Sequence, residues 1–318
     1  MIIGQEDVKS KLNTAVKKNM AVLLIGETGT GKTSIVRDIA NNQTTVVRVN
    51  LNGQTSVEDF VGRKGLKDGQ TFWEDGVLLE CMRKGYWIIV DEINSALPEI
   101  LFVLHSLLDD GNEILVNQND NEIVKPHEDF RFFATMNPVD EYAGTKGLNK
   151  ALKSRFGMVI TMDYPDNEVE MKIIEEKTPV RDLETLTIMI ETANRVRKLK
   201  EENEVFYTLS TRDLIQWGCL IDDLELEEAF EVAVLNKAGL DKEVIKNTWI
   251  ELYDKADSIF NQHETSKKMG INYLDNQFKK LRREREDMKE KIKEEEKERI
   301  RKKVIEELSS QLIGEKKI

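Results

Sequence analysis

The chain has 318 residues, 40% of them hydrophobic, enough for a sizeable core and for two domains or one large domain with an appendage. Its 59 acidic against 47 basic side chains leave a formal charge of −12, which argues against a general attraction to nucleic acid. No apolar run approaches the ~20 residues of a membrane span, and the 2 cysteines and 3 histidines lack the spacing of a disulfide framework or a zinc cluster. With neither a basic nor an apolar leader in Met1–Asp7, the expectation is a cytoplasmic protein in a reducing compartment.

Gln5 to Asn19 predicts a short helix with Val8, Leu12 and either Ala15 or Val16 on one face. Ala21 to Ile25 is apolar throughout and reads as a buried strand; Lys32 to Ala40 reads as the opening of a helix. Between them stands Gly26-Glu27-Thr28-Gly29-Thr30-Gly31-Lys32-Thr33, the G-x-x-x-x-G-K-[ST] pattern in the strand–loop–helix context that its chemistry requires. Glycines let the backbone curl so that N–H groups face a polyphosphate, and the helix start adds partial positive charge. Lys32 then reaches the β- and γ-phosphates, Ser34 begins the helix beside the loop, and the Thr33 hydroxyl can ligate Mg²⁺. The segment predicts nucleoside triphosphate binding. Ile2, Ile3 and Gly4 are placed to cover its base.

Thr45 to Leu51 is a second strand, and Ser56 to Phe60 begins a helix that is then interrupted. Val61–Leu66 and Gln70–Trp73 flank an Asp68-Gly69 pair, a hairpin signal. The helix resumes at Gly76. Tyr86 to Val90 forms a third strand, apolar on both faces. Pro98 to Asp109 is a helix, Ile114–Val116 and Glu122–Val124 a second hairpin, Phe130–Thr135 a fourth strand, Leu148–Ser154 a helical turn and Phe156–Thr161 a fifth strand. Alternation of this kind argues a parallel sheet covered on both faces. From Asp166 to Asn261 the pattern gives four or five helices and no strand, with Leu183, Leu186, Ile190, Ala193, Leu214, Trp217 and Leu220 or Ile221 expected in the core. Leu281 to Lys303 is charged except for Leu281, Met288, Ile292 and Ile300. It reads as a long solvated helix, or as a coiled-coil or partner-binding arm continuing a heptad seam from Ile271.

The third strand ends in Asp91-Glu92, at the sheet edge where ligands of open α/β folds bind. Asp91 is placed to hold the Mg²⁺ shell opposite Thr33, and Glu92 to polarise water for attack on the γ-phosphate. The fourth strand ends in Asn137, whose amide can bond both the γ-phosphate and that water; a plain turn residue before Pro138 is the bland alternative.

These segments resemble the AAA+ ATPases, and more narrowly the MoxR-like and dynein-related branch with its CbbQ, NorQ and midasin-type modules. The narrowing rests on Trp73-Glu74-Asp75-Gly76-Val77-Leu78, Val90-Asp91-Glu92-Ile93-Asn94, Ala134-Thr135-Met136-Asn137-Pro138 and Leu148 to Phe156. The resemblance implies an α/β P-loop domain (1–164), a small all-helical lid (165–262) and, outside its reach, the charged helical extension (263–318). It implies ATP and Mg²⁺ as cofactors, Asn137 as sensor 1, Arg155 as an arginine finger acting on a neighbouring subunit, and Arg212 as sensor 2. Surface cation and local salt bridge are the respective alternatives for the two arginines. The Val61–Trp73 hairpin would face a ring pore or partner, or else simply pack on its own surface.

The leading expectation, by that resemblance, is thus an ATP hydrolase that forms a hexameric ring and remodels a protein, often with a separate von Willebrand factor A-domain partner. The competing reading is a nucleic-acid machine, helicase-like or the motor of a restriction system, which DNA-stimulated hydrolysis would reveal. A small-molecule kinase uses the same loop but needs no constellation of Asn137, Arg155 and Arg212, and no Asn-Lys-x-Asp is present to read guanine.

Overall fold

The structure, a computed structural model, describes residues 3–52, 54–138 and 147–263, with side chains of the last helix to residue 254. Nearly all of these belong to one compact unit, Met1–Leu252. The expected charged helix and heptad seam beyond Ile271 lie outside the described residues.

Helix α1 (Glu6–Lys17) leads into β1 (Val22–Gly26), and α2 (Lys32–Ala40) follows the glycine loop. Then come β2 (Val46–Asn50), the single turn α3 (Val57–Phe60), the hairpin β3 (Gly62–Lys67) and β4 (Gln70–Asp75), α4 (Val77–Lys84) and β5 (Trp87–Asp91). After α5 (Pro98–Leu107) a second hairpin, β6 (Ile114–Val116) and β7 (Glu122–Val124), precedes β8 (Arg131–Met136), α6 (Lys150–Lys153) and β9 (Met158–Met162).

Strands β2-β5-β8-β1-β9 lie side by side in one sheet, every pair parallel. Parallel strands need crossovers, and these put helices on both faces. The alternation of side chains along each strand divides the core accordingly. Val22, Leu24, Ile89 and Phe133 face the side covered by α1 and α2, packing with Leu12, Ala15, Ile35 and Val36. Leu23, Ile88, Val90 and Ala134 face the other side, packing with Leu78, Leu79 and Met82 of α4 and Ile100 and Leu104 of α5. The interior strands β1 and β5 are buried on both faces and apolar up to their last residue, while the edge strands β2 and β9 are partly exposed; the sheet's C-terminal edge is left to carry polar chemistry.

The first hairpin forms as its turn residues dictate. Asp68 and Gly69 take φ of 52° and 79°, the left-handed pair that matches the twist of two antiparallel strands, and Lys67 pairs with Gln70. Arg83 of α4 joins the hairpins, meeting Asp75 at 2.9 Å and Glu122 at 2.8 Å.

Among the described residues five α-helices follow: α7 (Asn167–Lys177), α8 (Leu183–Glu201), α9 (Thr211–Leu220), α10 (Leu226–Ala233) and α11 (Lys242–His263). Leu186, Ile190, Ala193, Leu214 and Trp217 are buried as their spacing predicts. Leu220 and Ile221, at the end of α9, are only half-buried, and Leu183 is 55% exposed. Leu183 is the clearest departure. It opens α8 directly after the capping residue Asp182, whose carboxylate accepts from the Thr185 amide, and this fixes the first turn at the surface. The centre of the helical part is an aromatic stack, with Phe230 4.7 Å from Trp217 and 5.2 Å from Trp249 between ring centroids. Among the described residues no helix is long and apolar enough to cross a membrane.

Phe230 is fully buried between two tryptophans. Phe230→Ala should therefore lose about 3–5 kcal/mol of stability. Denaturant unfolding followed by tryptophan emission measures it directly; a loss under 1 kcal/mol would mean that the stack is not what holds these helices together.

Candidate functional site

The loop between β1 and α2 is gripped before any ligand arrives. Gly26 lies so close to β9 that a Cβ there would stand 2.3 Å from the Met162 carbonyl oxygen. Gly29 holds φ at +81°, and a Cβ on it would meet the Ser210 side chain at 2.6 Å. Glycine is needed there on both counts. The buried Thr30 hydroxyl donates to the Glu27 carbonyl at 2.9 Å, and Gln5 Nε2 donates to the Thr30 carbonyl at 3.2 Å. From the far side, the Tyr164 hydroxyl donates to the Thr28 carbonyl at 2.9 Å.

Lys32 curls back over this loop. Its Nζ donates to the carbonyls of Gly26 (2.6 Å) and Glu27 (2.9 Å) and to Asn137 Oδ1 (3.2 Å). Asn137 is 105 residues away in sequence, but β8 lies beside β1 with Ile25 opposite Met136, so the two strands end together. Burial pushes the Lys32 ammonium down to about 8, against the pull of Glu27 and Asp91. The site therefore holds a desolvated cation whose partners are neutral oxygens, the condition a polyphosphate relieves.

Asp91, at the end of β5, is 4% exposed. Its Oδ1 accepts from the hydroxyls of Thr33 (3.0 Å) and Thr135 (2.7 Å), and its Oδ2 is paired with Arg48 Nε. Thr33 and Asp91 together offer two hard oxygens, a donor set that suits a magnesium ion completed by phosphates and water. Among the described residues no cluster of three His, Cys, Asp or Glu side chains forms a cage of its own. Glu92 is exposed and holds φ at 55°, where the chain leaves the strand for the short turn Ile93–Ser95. This conformation costs a residue with a Cβ of order 1 kcal/mol, and it turns the carboxylate side chain away from the regular strand path.

The remaining residues of interest divide. Arg212 is exposed two residues after Ser210, near enough to Lys32 to lower its pKa, and its backbone nitrogen would be 3.5 Å from a Cβ on Gly29. It belongs with the loop. Ser34 is exposed on the first turn of α2. Arg155 stands apart: its Nη1 donates to the Ala151 carbonyl at 2.8 Å, and its Nη2 lies 3.6 Å from Asp109. Burial, and then the Arg155 charge, push the neighbouring His105 imidazole down. The Arg155 Nε is buried with no partner among the described residues. Arg48 was invisible in the sequence as a member of this site, although a lone cation in Val47-Arg48-Val49, near the end of a strand, is the kind of signal that marks a sheet-edge charge.

A parallel sheet with a phosphate loop after its first strand, a buried aspartate at the tip of a neighbouring one, and a C-terminal helical region packed on the loop define a P-loop nucleotide-binding ATPase. The chain belongs to the dynein-related subfamily of AAA domains, whose model matches residues 21–156, and residues 170–254 match the C-terminal domain of CbbQ, NirQ and NorQ. It is 32% identical to midasin of Dictyostelium discoideum over 66% of this chain, and 36% identical to midasin of Giardia intestinalis over 52%. It spans only 4% of the length of either. The uncharacterized protein SH1500 of Staphylococcus haemolyticus is 30% identical over 79% of this chain and 97% of its own. A crystal structure from Cytophaga hutchinsonii, 18% identical, aligns over 78% of this chain and 89% of that one with a TM-score of 0.44.

With Lys32 held near 8 rather than 10.5, a phosphate that closes on it should return a proton to it at alkaline pH. At pH 9 Lys32 is mostly neutral, so binding should take up a proton and affinity should fall as pH rises through 8; at pH 7 Lys32 is mostly charged and little proton uptake is expected. Calorimetry of ATP binding at pH 9, in buffers of different ionisation enthalpy, should show this uptake. Its absence would mean that Lys32 is charged in the empty site.

Proposed function

We propose that this ATPase works as a ring of identical subunits that hydrolyses ATP to remodel a protein partner. In this reading Gly26, Thr28, Gly29, Thr30, Gly31, Lys32, Thr33 and Ser34 hold the triphosphate, and Thr33 with Asp91 holds its magnesium ion. When bound, the ion neutralises phosphate charge. Glu92 accepts the proton of the attacking water, Asn137 orients that water and the γ-phosphate, and Arg212 closes over the nucleotide from the lid (165–262) onto the core (1–164).

The observation that carries the ring is the separation of Arg155 from this constellation. Its recorded contacts are with Ala151 and Asp109, and its Nε is buried without a partner among the described residues. A guanidinium whose side chain is 31% exposed, and which makes no hydrogen bond to its own chain's phosphate loop among the described residues, suits a finger serving the neighbouring subunit's nucleotide. The β3–β4 hairpin, with Leu66 74% and Phe72 45% exposed among Arg63, Lys64 and Lys67, supplies a surface for the partner. A separate von Willebrand factor A-domain protein is a candidate adaptor. The extension 263–318, rich in both charge signs, is a second place for a partner to hold.

Glu92→Gln should keep ATP binding and lose turnover, since the amide is nearly isosteric but cannot serve as a base. Arg155→Ala should also bind ATP, with turnover reduced by about 10³–10⁵ if its finger resembles the best-studied ones. Mixing the two inactive variants should restore partial hydrolysis, because a Glu92→Gln subunit still offers Arg155 to the intact Glu92 next door. Light scattering first establishes that mixed particles form; if they form and stay inactive, the neighbour-serving finger is wrong. Hydrolysis stimulated by DNA at physiological salt would favour a nucleic-acid partner instead.

A further inference from the structure

Glu170, on α7, is fully buried, a placement that a carboxylate tolerates only with its oxygens occupied. Arg197 of α8 meets it in a two-point contact, Nη1 to Oε2 at 2.9 Å and Nη2 to Oε1 at 2.7 Å. The third guanidinium nitrogen, Nε, donates to the Leu209 carbonyl at 2.9 Å. With its side chain only 11% exposed, Arg197 has little water to turn to. A planar fork with every edge committed admits one orientation.

That orientation joins two places that matter. The face of the guanidinium lies over the Tyr164 ring, 3.9 Å from its centroid, and the Tyr164 hydroxyl donates to the Thr28 carbonyl in the phosphate loop. Burial pushes the Tyr164 phenol up to about 12, so it remains a donor. On the other side, Glu170 Oε1 also accepts from the Thr211 hydroxyl, and Thr211 is the first residue of α9, directly before Arg212. One turn along α8 from Arg197, Lys200 pairs with Glu27 of the same loop at 3.4 Å.

We propose that Arg197 is a positioning residue that couples the phosphate loop to Arg212, clamping Tyr164 on one side and, through Glu170, the first turn of α9 on the other. The coupling rests on the proposed placement of Arg212 at the nucleotide. A shift of the Thr28 carbonyl when phosphate enters moves Tyr164, and with it the guanidinium. The guanidinium holds the Leu209 carbonyl and Glu170, so the start of α9 follows. Because the clamp is made of directed bonds, it has few intermediate positions.

The test is a double-mutant cycle on the full chain with MgATP. Arg197→Lys keeps the charge but loses the fork and the stacked plane, and should lower kcat about ten-fold while KM stays within about three-fold. In an Arg212→Ala background the same change should cost nothing further, because the residue it positions is gone. Tyr164→Phe, which removes one hydroxyl and leaves the ring in place, should behave in the same way, and decides the matter if Arg197→Lys does not fold. Losses that add to that of Arg212→Ala, as a merely structural role would give, overturn the coupling, as does wild-type kcat in Tyr164→Phe. Arg212→Ala with wild-type turnover would instead remove the reading of Arg212, and the coupling with it; the single variant reads that failure by itself.

Discussion

A carboxylate with almost no exposed surface sets the terms for this molecule. Asp91 must be supplied with donors, and they come from three other parts of the chain: Thr33 from the start of α2, Thr135 from β8 and Arg48 from β2. Removing any one leaves a lone pair of a buried anion without a partner, which costs far more than an ordinary hydrogen bond returns. The requirement therefore fixes how far β5 extends, where β8 stops and how α2 enters, all at once. The same geometry places Glu92 one residue further on, past the end of the strand. A site that needs Asp91 in one position obtains Glu92 in a defined position from the same fold.

The phosphate loop shows the converse economy. Its carbonyls at Gly26, Glu27, Thr28 and Thr30 are all engaged, by Lys32, Thr30, Tyr164 and Gln5. Holding the carbonyls outward is what frees the opposite edge of a curled backbone for an anion. Two of these partners come from outside the loop's own strand and helix. Gln5 belongs to the residues before α1, and Tyr164 to the segment that leads into the helical part. The loop is thus the floor on which the N-terminal segment and the helical part both rest, and Ser210 presses against Gly29 to complete the contact. A ligand that reshapes the loop acts on both.

Much of this was legible in the sequence, and the reasons differ by element. The strands were legible because a sheet buried on both faces demands unbroken apolar runs, and Leu23-Leu24-Ile25 or Ile88-Ile89-Val90 satisfy nothing else so well. The Asp68-Gly69 turn was legible because few residue pairs tolerate two positive φ angles. Asp91 and Lys32 were legible from the motif spacing. Arg48 and the Glu170–Arg197 pair were not, since charged residues on a strand or helix look solvated until a partner distant in sequence arrives; Glu170 and Arg197 are 27 residues apart. Leu183 failed in the opposite sense. It keeps the helical spacing of Leu186 and Ile190 but lies in the first turn, where the capping bond of Asp182, rather than the apolar stripe, decides which way the backbone faces.

The charge distribution ties the site to its ligand. A chain with a net charge of −12 repels a polyanion at long range, but at physiological salt that field decays over roughly 8 Å. What an anion meets on arrival is local. Lys32 and Arg212 lie close enough to interact, Lys200 pairs with Glu27 of the loop, and Arg48 borders Asp91. These cations gather around the glycine loop and the end of β5, which favours a compact anion held against backbone over a long one tracked along a surface. The low pKa of Lys32 works in the same direction. Desolvation is the largest cause of that shift, so the unliganded ammonium carries a penalty that a triphosphate relieves and scattered surface anions cannot. Lys32 is thus a half-buried cation folded over the loop, bonded to the Gly26 and Glu27 carbonyls and to Asn137.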